Sequence, residues 1–353
     1  MSDAPRSATI ALDARQTKQM SVGMKTYVEE LVRRLPRVAP DLEFAVIDAP
    51  IANASWREQA WLPSRLRGSG AALAHFMSVY APRWPNMPYV YTIHDLIHRR
   101  FPEYFSWKIP PYYRFVAGPV ARGAAAVITD AEATIPDLER FLGIHPKDVR
   151  VVPLGVSEAF VLDDASRAER AARARRTFGV ARPFFLYAGN HRPHKNLQTL
   201  AAAWHALAEE CDLVITEDGP LHIDMDKTVK SNGRIVRTGR VGRDELIDLY
   251  AACAGAVQPS LFEGFGLSVL EAMSAGAPVA IAQTPTLEEV AGTAALSFPP
   301  QDPAALTAVL RTLLRDRQAA NELRVRGQKR AASFTWDETA RRTAAIYREC
   351  VAR

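Results

Sequence analysis

The chain has 353 residues, 48% hydrophobic and 24% charged. That is ordinary usage for folded domains, and it excludes a disordered tail, a collagen-like fibre and a disulfide mini-scaffold. Lys and Arg number 44 against 39 Asp and Glu, a formal charge of +5; this suits a phosphate-rich ligand or an anionic membrane face and does not demand nucleic acid.

The length predicts two domains, each long enough to bury its own core. Cys211, Cys253 and Cys350 are odd in number and far apart. Their spacing matches neither a disulfide framework nor a zinc site, and a reducing compartment fits best. Residues 1–7 carry no apolar region of signal-peptide type, and no run approaches the length of a membrane span. The expectation is a soluble, cytoplasmic chain.

Short apolar runs alternate with amphipathic stretches almost throughout. In chain order, a strand at Ile10–Asp13 precedes a helix at Lys25–Arg37. Strands at Phe44–Ile47, Leu73–Phe76, Tyr89–Ile93, Ala125–Thr129 and Val149–Val152 follow. The second half predicts strands at Phe184–Ala188, Leu213–Thr216, Ile235–Thr238, Ala256–Pro259, Val279–Ala282 and Ala295–Phe298. Helical patterns at Leu197–Leu207, Asp244–Cys253 and Leu267–Ala275 lie between them. This alternation predicts α/β architecture with parallel sheets covered on both faces. About twelve strands are too many for an eight-unit barrel, so two doubly wound domains are expected. The boundary falls after Pro153–Gly155, giving domains at residues 1–157 and 158–335 and a C-terminal helix in 336–353. The charged stretch Arg167–Phe178 reads as a solvated helix face near a linker, with an anionic membrane contact as the sharper alternative.

The most informative stretch is Gln258–Ala282, QPSLFEGFGLSVLEAMSAGAPVAIA. A strand ends at Pro259, a loop holds Gly264 and Gly266, and a helix starts near Leu267, with Gly276 and Pro278 as its stop signals. Glycines at a helix N-terminus let amides approach an anion, and the helix dipole favours negative charge there. Glu263 precedes the helix and Glu271 lies about one turn inside it. A diphosphate at the helix start would have one carboxylate toward each end, ready to accept hydrogen bonds from two sugar rings. That is the shape of a nucleotide sugar.

This frame resembles the signature of the retaining glycosyltransferases of family 4, which have the GT-B fold. That fold consists of two Rossmann-like domains facing across a cleft, with the last helix crossing back to the first domain. The resemblance implies that Glu263 contacts the donor sugar and Glu271 holds the nucleotide ribose. It also implies that the backbone of Gly264, Phe265, Gly266 and Leu267 meets sugar and diphosphate. Ser268 stands where the family often has Pro. In Tyr187–Leu197, YAGNHRPHKNL, Lys195 matches the family's lysine and Arg192 is a second candidate clamp for the diphosphate; Asn190 occupies the place where many relatives have Arg. The pattern resembles a bacterial mannosyltransferase-like branch.

Tyr91–Leu96, YTIHDL, puts His94 at the carboxyl end of a strand, where open α/β sheets place ligands. The resemblance implies that His94 approaches the donor sugar, while Asp95 orients neighbouring backbone. In the predicted loop Ser21–Tyr27, Gly23 matches a family glycine that approaches phosphate or acceptor, and Lys25 replaces a second one. Thr238–Glu245 resembles the loop whose backbone meets the nucleobase around Arg240 and Val241. Ala131 stands where a serine is frequent. Asp224-Met225-Asp226 imitates a metal-binding motif but lies in a polar turn. Phe334, Trp336, Ala340 and Tyr347 read as packing residues of the last helix. The aromatic run Phe101–Tyr113 suits either a bilayer interface or an ordinary packed loop.

The resemblance, continuous from about Ile10 to Tyr347, implies a retaining, metal-independent hexosyltransferase without a cofactor, in which Lys195, Arg192 and the amides at Gly266–Leu267 stabilise the leaving diphosphate. Glu263 should be ionised. GDP-mannose is the favoured donor and a lipid-linked or surface-polysaccharide glycan the acceptor, at the cytosolic face of an anionic inner membrane. The rivals are a UDP-hexose donor, a transfer-inactive nucleotide-sugar-binding protein, and a nicotinamide-dependent oxidoreductase; the last lacks the full GxGxxG fingerprint.

Overall fold

A computed structural model describes residues 8–15, 20–48, 51–53, 55–216 and 234–353. The predicted turn with Asp224 and Asp226 lies outside the described residues. The chain divides into two units, residues 1–155 with 335–353, and residues 156–334.

The first unit is built on β1 (Thr9–Asp13), β2 (Glu43–Ile47), β3 (Leu73–Phe76), β4 (Tyr89–Thr92), β5 (Ala126–Thr129) and β6 (Val149–Val151). They form one parallel sheet in the order β2-β1-β3-β4-β5-β6. In the second unit, β7 (Phe184–Tyr187), β8 (Asp212–Ile215), β9 (Ile235–Arg237), β10 (Gly255–Gln258), β11 (Val279–Ala282) and β12 (Leu296–Phe298) form a parallel sheet in the order β12-β11-β10-β7-β8-β9. No predicted strand boundary shifts by more than one residue. Runs such as FFLY in β7 and VAIA in β11 are buried throughout, as strands covered on both faces must be. Counted within its own unit, the second sheet has the doubly wound nucleotide-binding order. Its direction of winding reverses between β7 and β10, and such sheets bind ligands outside the carboxyl ends of the two strands at the reversal.

The first helix corrects the predicted loop. It spans Val22–Val38, three residues earlier than the apolar period suggested, because Ser21 caps it: the Ser21 hydroxyl accepts from the Met24 N–H at 3.3 Å. Gly23 and Lys25 therefore sit in the first helical turns. The charged stretch is a helix, Asp164–Phe178, and it is not simply a solvated face. It packs on the helix Arg243–Ala252, where Arg170 and Arg173 both bond the buried Asp248.

The last helix, Trp336–Val351, packs against Val22–Val38 in the first unit. Trp336, Ala340 and Tyr347 are buried. Tyr347 bonds His75 Nδ1 at 2.6 Å through its hydroxyl, and Asp337 bonds Arg34 and Arg37. Gly155 lies against this helix start so closely that a Cβ there would stand 2.1 Å from the Trp336 nitrogen. In the aromatic run Phe101–Tyr113, Tyr112 and Tyr113 pack inward while Trp107 is 78% exposed. Among the described residues no helix is long and apolar enough to cross a membrane.

Candidate functional site

The carboxyl ends of β7 and β10 carry most of the residues picked from the sequence. After β7 the chain runs through Asn190 and Arg192 to a short turn, Pro193–Lys195, and then to the helix Leu197–His205. Asn196 closes that turn in the left-handed conformation at φ 56°, a region Asn tolerates better than most residues. Its amide donates to the Pro259 carbonyl at 3.0 Å and to the Pro300 carbonyl at 2.6 Å, while its oxygen accepts from the Thr199 hydroxyl at 2.8 Å. The Leu261 N–H donates to the His194 carbonyl at 2.8 Å. Backbone and side-chain bonds thus tie the β7 loop to the β10 loop.

Across this junction the Lys195 ammonium donates to both Glu263 oxygens, at 2.7 and 2.8 Å. The Ser260 hydroxyl donates to the same carboxylate at 2.7 Å, and the Gln258 amide donates to it as well as to Ser260. Gln258 in turn accepts from the Ser268 hydroxyl at 3.4 Å, so the serine that replaces the family proline joins the network. Burial raises the Glu263 carboxyl, but the Lys195 charge and the bonds from Lys195, Ser260 and Gln258 outweigh it, leaving the group below the usual carboxylate range. The sequence expectation of an ionised Glu263 agrees with that direction.

The helix that follows, Leu267–Ser274, starts from Gly266 at φ 94°. A Cβ on Gly266 would lie 2.9 Å from Leu287, so only glycine gives the chain this entry. Phe265 is buried edge-on against Phe334, with ring centroids 6.0 Å apart, and Gly264 is partly exposed. Glu271 lies one turn inside the helix, where burial pushes its carboxyl up to about 7 against the opposing charge of Arg243. Val241, half-buried, belongs to the turn before the helix Arg243–Ala252; the Glu245 carboxylate caps that turn by accepting from the Gly242 N–H at 2.7 Å. Arg192 is exposed at the start of the Pro193–Lys195 turn.

His94 and Gly23 belong to the first unit. Gly23 lies in the opening turn of its helix, where a Cβ would meet nothing within 4 Å among the described residues. His94 follows β4 and pairs with Asp130, just past β5: its Nδ1 stands 2.8 Å from Asp130 Oδ2 and its Nε2 3.3 Å from the Met77 carbonyl. Tyr27 packs edge-on against the ring at 4.7 Å. Asp95 accepts from the Ile97 N–H at 2.9 Å, the backbone role expected of it. Sequence reading missed Asp130, Gln258 and Ser260. The last two were inside the quoted motif, and a carboxyl-terminal strand position was the only signal for Asp130. Among the described residues no group of three or more His, Cys, Asp or Glu converges as a metal site would.

Two family models match the chain, "Glycosyltransferase Family 4" over residues 48–160 and "Glycosyl transferases group 1" over residues 182–316. The chain belongs to the family 4 glycosyltransferases. This glycosyltransferase is 28% identical over 301 residues to the O-antigen chain mannosyltransferase B of Escherichia coli, covering 83% of this chain and 77% of the relative. It is 31% identical over 288 residues to the MMP alpha-(1->4)-mannosyltransferase of Mycolicibacterium hassiacum, covering 75% and 66%. Anabaena HepE, solved in complex with UDP and glucose, shares the fold at a TM-score of 0.75 and 17% identity, covering 96% of this chain and 99% of HepE. The architecture is GT-B.

Proposed function

We propose that this family 4 glycosyltransferase transfers a hexose from a nucleotide sugar to a glycan acceptor, with retention at the anomeric carbon and without a metal or cofactor. The Lys195–Glu263 pair beside the Gly266–Leu267 helix start carries the reading. A diphosphate seated on those helix amides would take part of the lysine's charge, and Lys195, Arg192 and the amides would stabilise it as leaving group. Glu263, held ionised, accepts hydrogen bonds from the sugar hydroxyls. Glu271 takes the ribose and the backbone at Val241 the base, while Gly264 and Phe265 line the sugar and diphosphate. Gly23, in the first turn of its helix, is assigned to phosphate or acceptor. His94 is assigned to the donor sugar on the strength of the family resemblance.

GDP-mannose is the preferred donor, and the names of the two mannosyltransferase relatives support its sugar. The acceptor is a lipid-linked or surface polysaccharide, met at the cytosolic membrane face, a location that the basic surplus and exposed Trp107 suit. A UDP-hexose is the second reading, favoured by the UDP and glucose held in HepE. A thermal-shift comparison of GDP, UDP and their hexose conjugates decides between them, because a ligand that binds only the folded chain raises its melting temperature. Transfer to a polyprenyl-linked glycan, with the anomeric configuration of the product read by NMR, tests the reaction. No stabilisation by any nucleotide sugar would end the reading.

A further inference from the structure

The contacts of His94 fix more than its place. A carbonyl oxygen only accepts, so Nε2, facing Met77 at 3.3 Å, carries a hydrogen. Nδ1 faces Asp130 Oδ2 at 2.8 Å, and the remaining oxygen, Asp130 Oδ1, is buried with no hydrogen-bond partner among the described residues. The proton in that contact belongs either to the ring or to the carboxyl. The elements around the ring favour the ring. Tyr27, from the helix Val22–Val38, packs edge-on, and its hydroxyl is engaged with Thr92 at 3.2 Å. His75, from β3, has its nitrogens on the Tyr347 and Thr92 hydroxyls, and burial lowers it to about 3, so it stays neutral. The charged groups acting on His94 are thus the carboxylates Asp130 and Asp95.

We propose that Asp130 is a positioning residue that keeps His94 an imidazolium, with both ring N–H groups bonded inside the first unit. His94 then serves as a fixed positive charge toward the donor and takes no proton from the acceptor. Burial alone would lower His94; the Asp130 charge and bond, with Asp95 and the Met77 carbonyl, reverse it and leave the ring raised. Burial likewise raises Asp130 against the His94 charge. The proposal rests on the reading that assigns His94 to the donor sugar. Asp130 directly precedes Ala131, the place where the family resemblance leads one to expect a serine, so the arrangement accompanies a departure in this chain's own sequence.

The test is a titration of the whole chain carrying ring-15N histidine, with the His94 signal assigned by its loss in His94→Gln. Both His94 nitrogens should report protonation at pH 7. In the isosteric Asp130→Asn variant the midpoint should fall by about one pH unit. Transfer by the wild type should decline as pH rises through the His94 midpoint, and Asp130→Asn should move that decline down by the same interval. A neutral His94 at pH 7 in the wild type overturns the proposal without recourse to any variant, and so does an unmoved midpoint in Asp130→Asn. If the protein turned over no nucleotide sugar, the proposed function would fail while the titration still decided the state of the pair.

Discussion

The ammonium of Lys195 meets both carboxylate oxygens of Glu263, at 2.7 and 2.8 Å, 68 residues apart in sequence. Each charge is partly withdrawn from water, with side-chain exposures of 13% and 11%, so removing either leaves the other poorly compensated. Glu263→Gln and Lys195→Met should each lower the transfer rate by about a hundredfold or more. Because the two share one network, the double variant should lose much less than the product of the single losses. Steady-state transfer kinetics on the four proteins checks this; multiplicative losses would mean that the pair does not act as a unit.

Glu271 gives a pH signature. Its folded value of about 7 stands above the ordinary 4.5, so the folded chain binds more protons than the unfolded one between those values. Stability from this group is therefore complete below about pH 4.5 and declines as pH rises toward 7, by at most about 1.4 kcal/mol per pH unit. Glu271→Gln should remove that slope, which denaturant melts at a series of pH values would measure. A ribose that hydrogen-bonds the carboxylate favours its ionised form, so nucleotide binding should tighten from pH 6 to 8 in the wild type and lose that dependence in Glu271→Gln.

Gly266→Ala should cost about 1–3 kcal/mol, because the φ of 94° is strained for alanine and the new Cβ would stand 2.9 Å from Leu287. The variant should also bind nucleotide more weakly by displacing the helix start. Urea unfolding and a nucleotide titration read the two effects separately.

Tyr347→Phe should destabilise the first unit by about 1–3 kcal/mol, since it strands the Nδ1 side of the fully buried His75. Transfer measured well below the melting transition should change little by comparison.

Strands such as β4, β5, β7 and β11 were legible because each is a short run buried throughout, which leaves a largely apolar signature. The start of Val22–Val38 was not, since the apolar stripe begins only where the helix turns inward, and the Ser21 cap precedes it. Lys195 and Glu263 were each legible as motif residues, while their bonding depends on β7 and β10 lying side by side, although β8 and β9 separate them along the chain. Asp130 was hidden for a related reason: only the register that sets Thr92 beside Ile128 brings the residues after β4 and β5 within reach of each other.

The Val156 N–H donates to the Phe334 carbonyl at 3.0 Å, so the segment 156–334 begins and ends at adjoining points. In topological terms it is an insert spliced into a smaller protein, and the splice is already closed by a hydrogen bond. Expressed alone, it would start with its two ends in register. A gene cut after Gly155 would instead yield a first half stripped of Tyr347 and of the Trp336–Val351 cover over its opening helix.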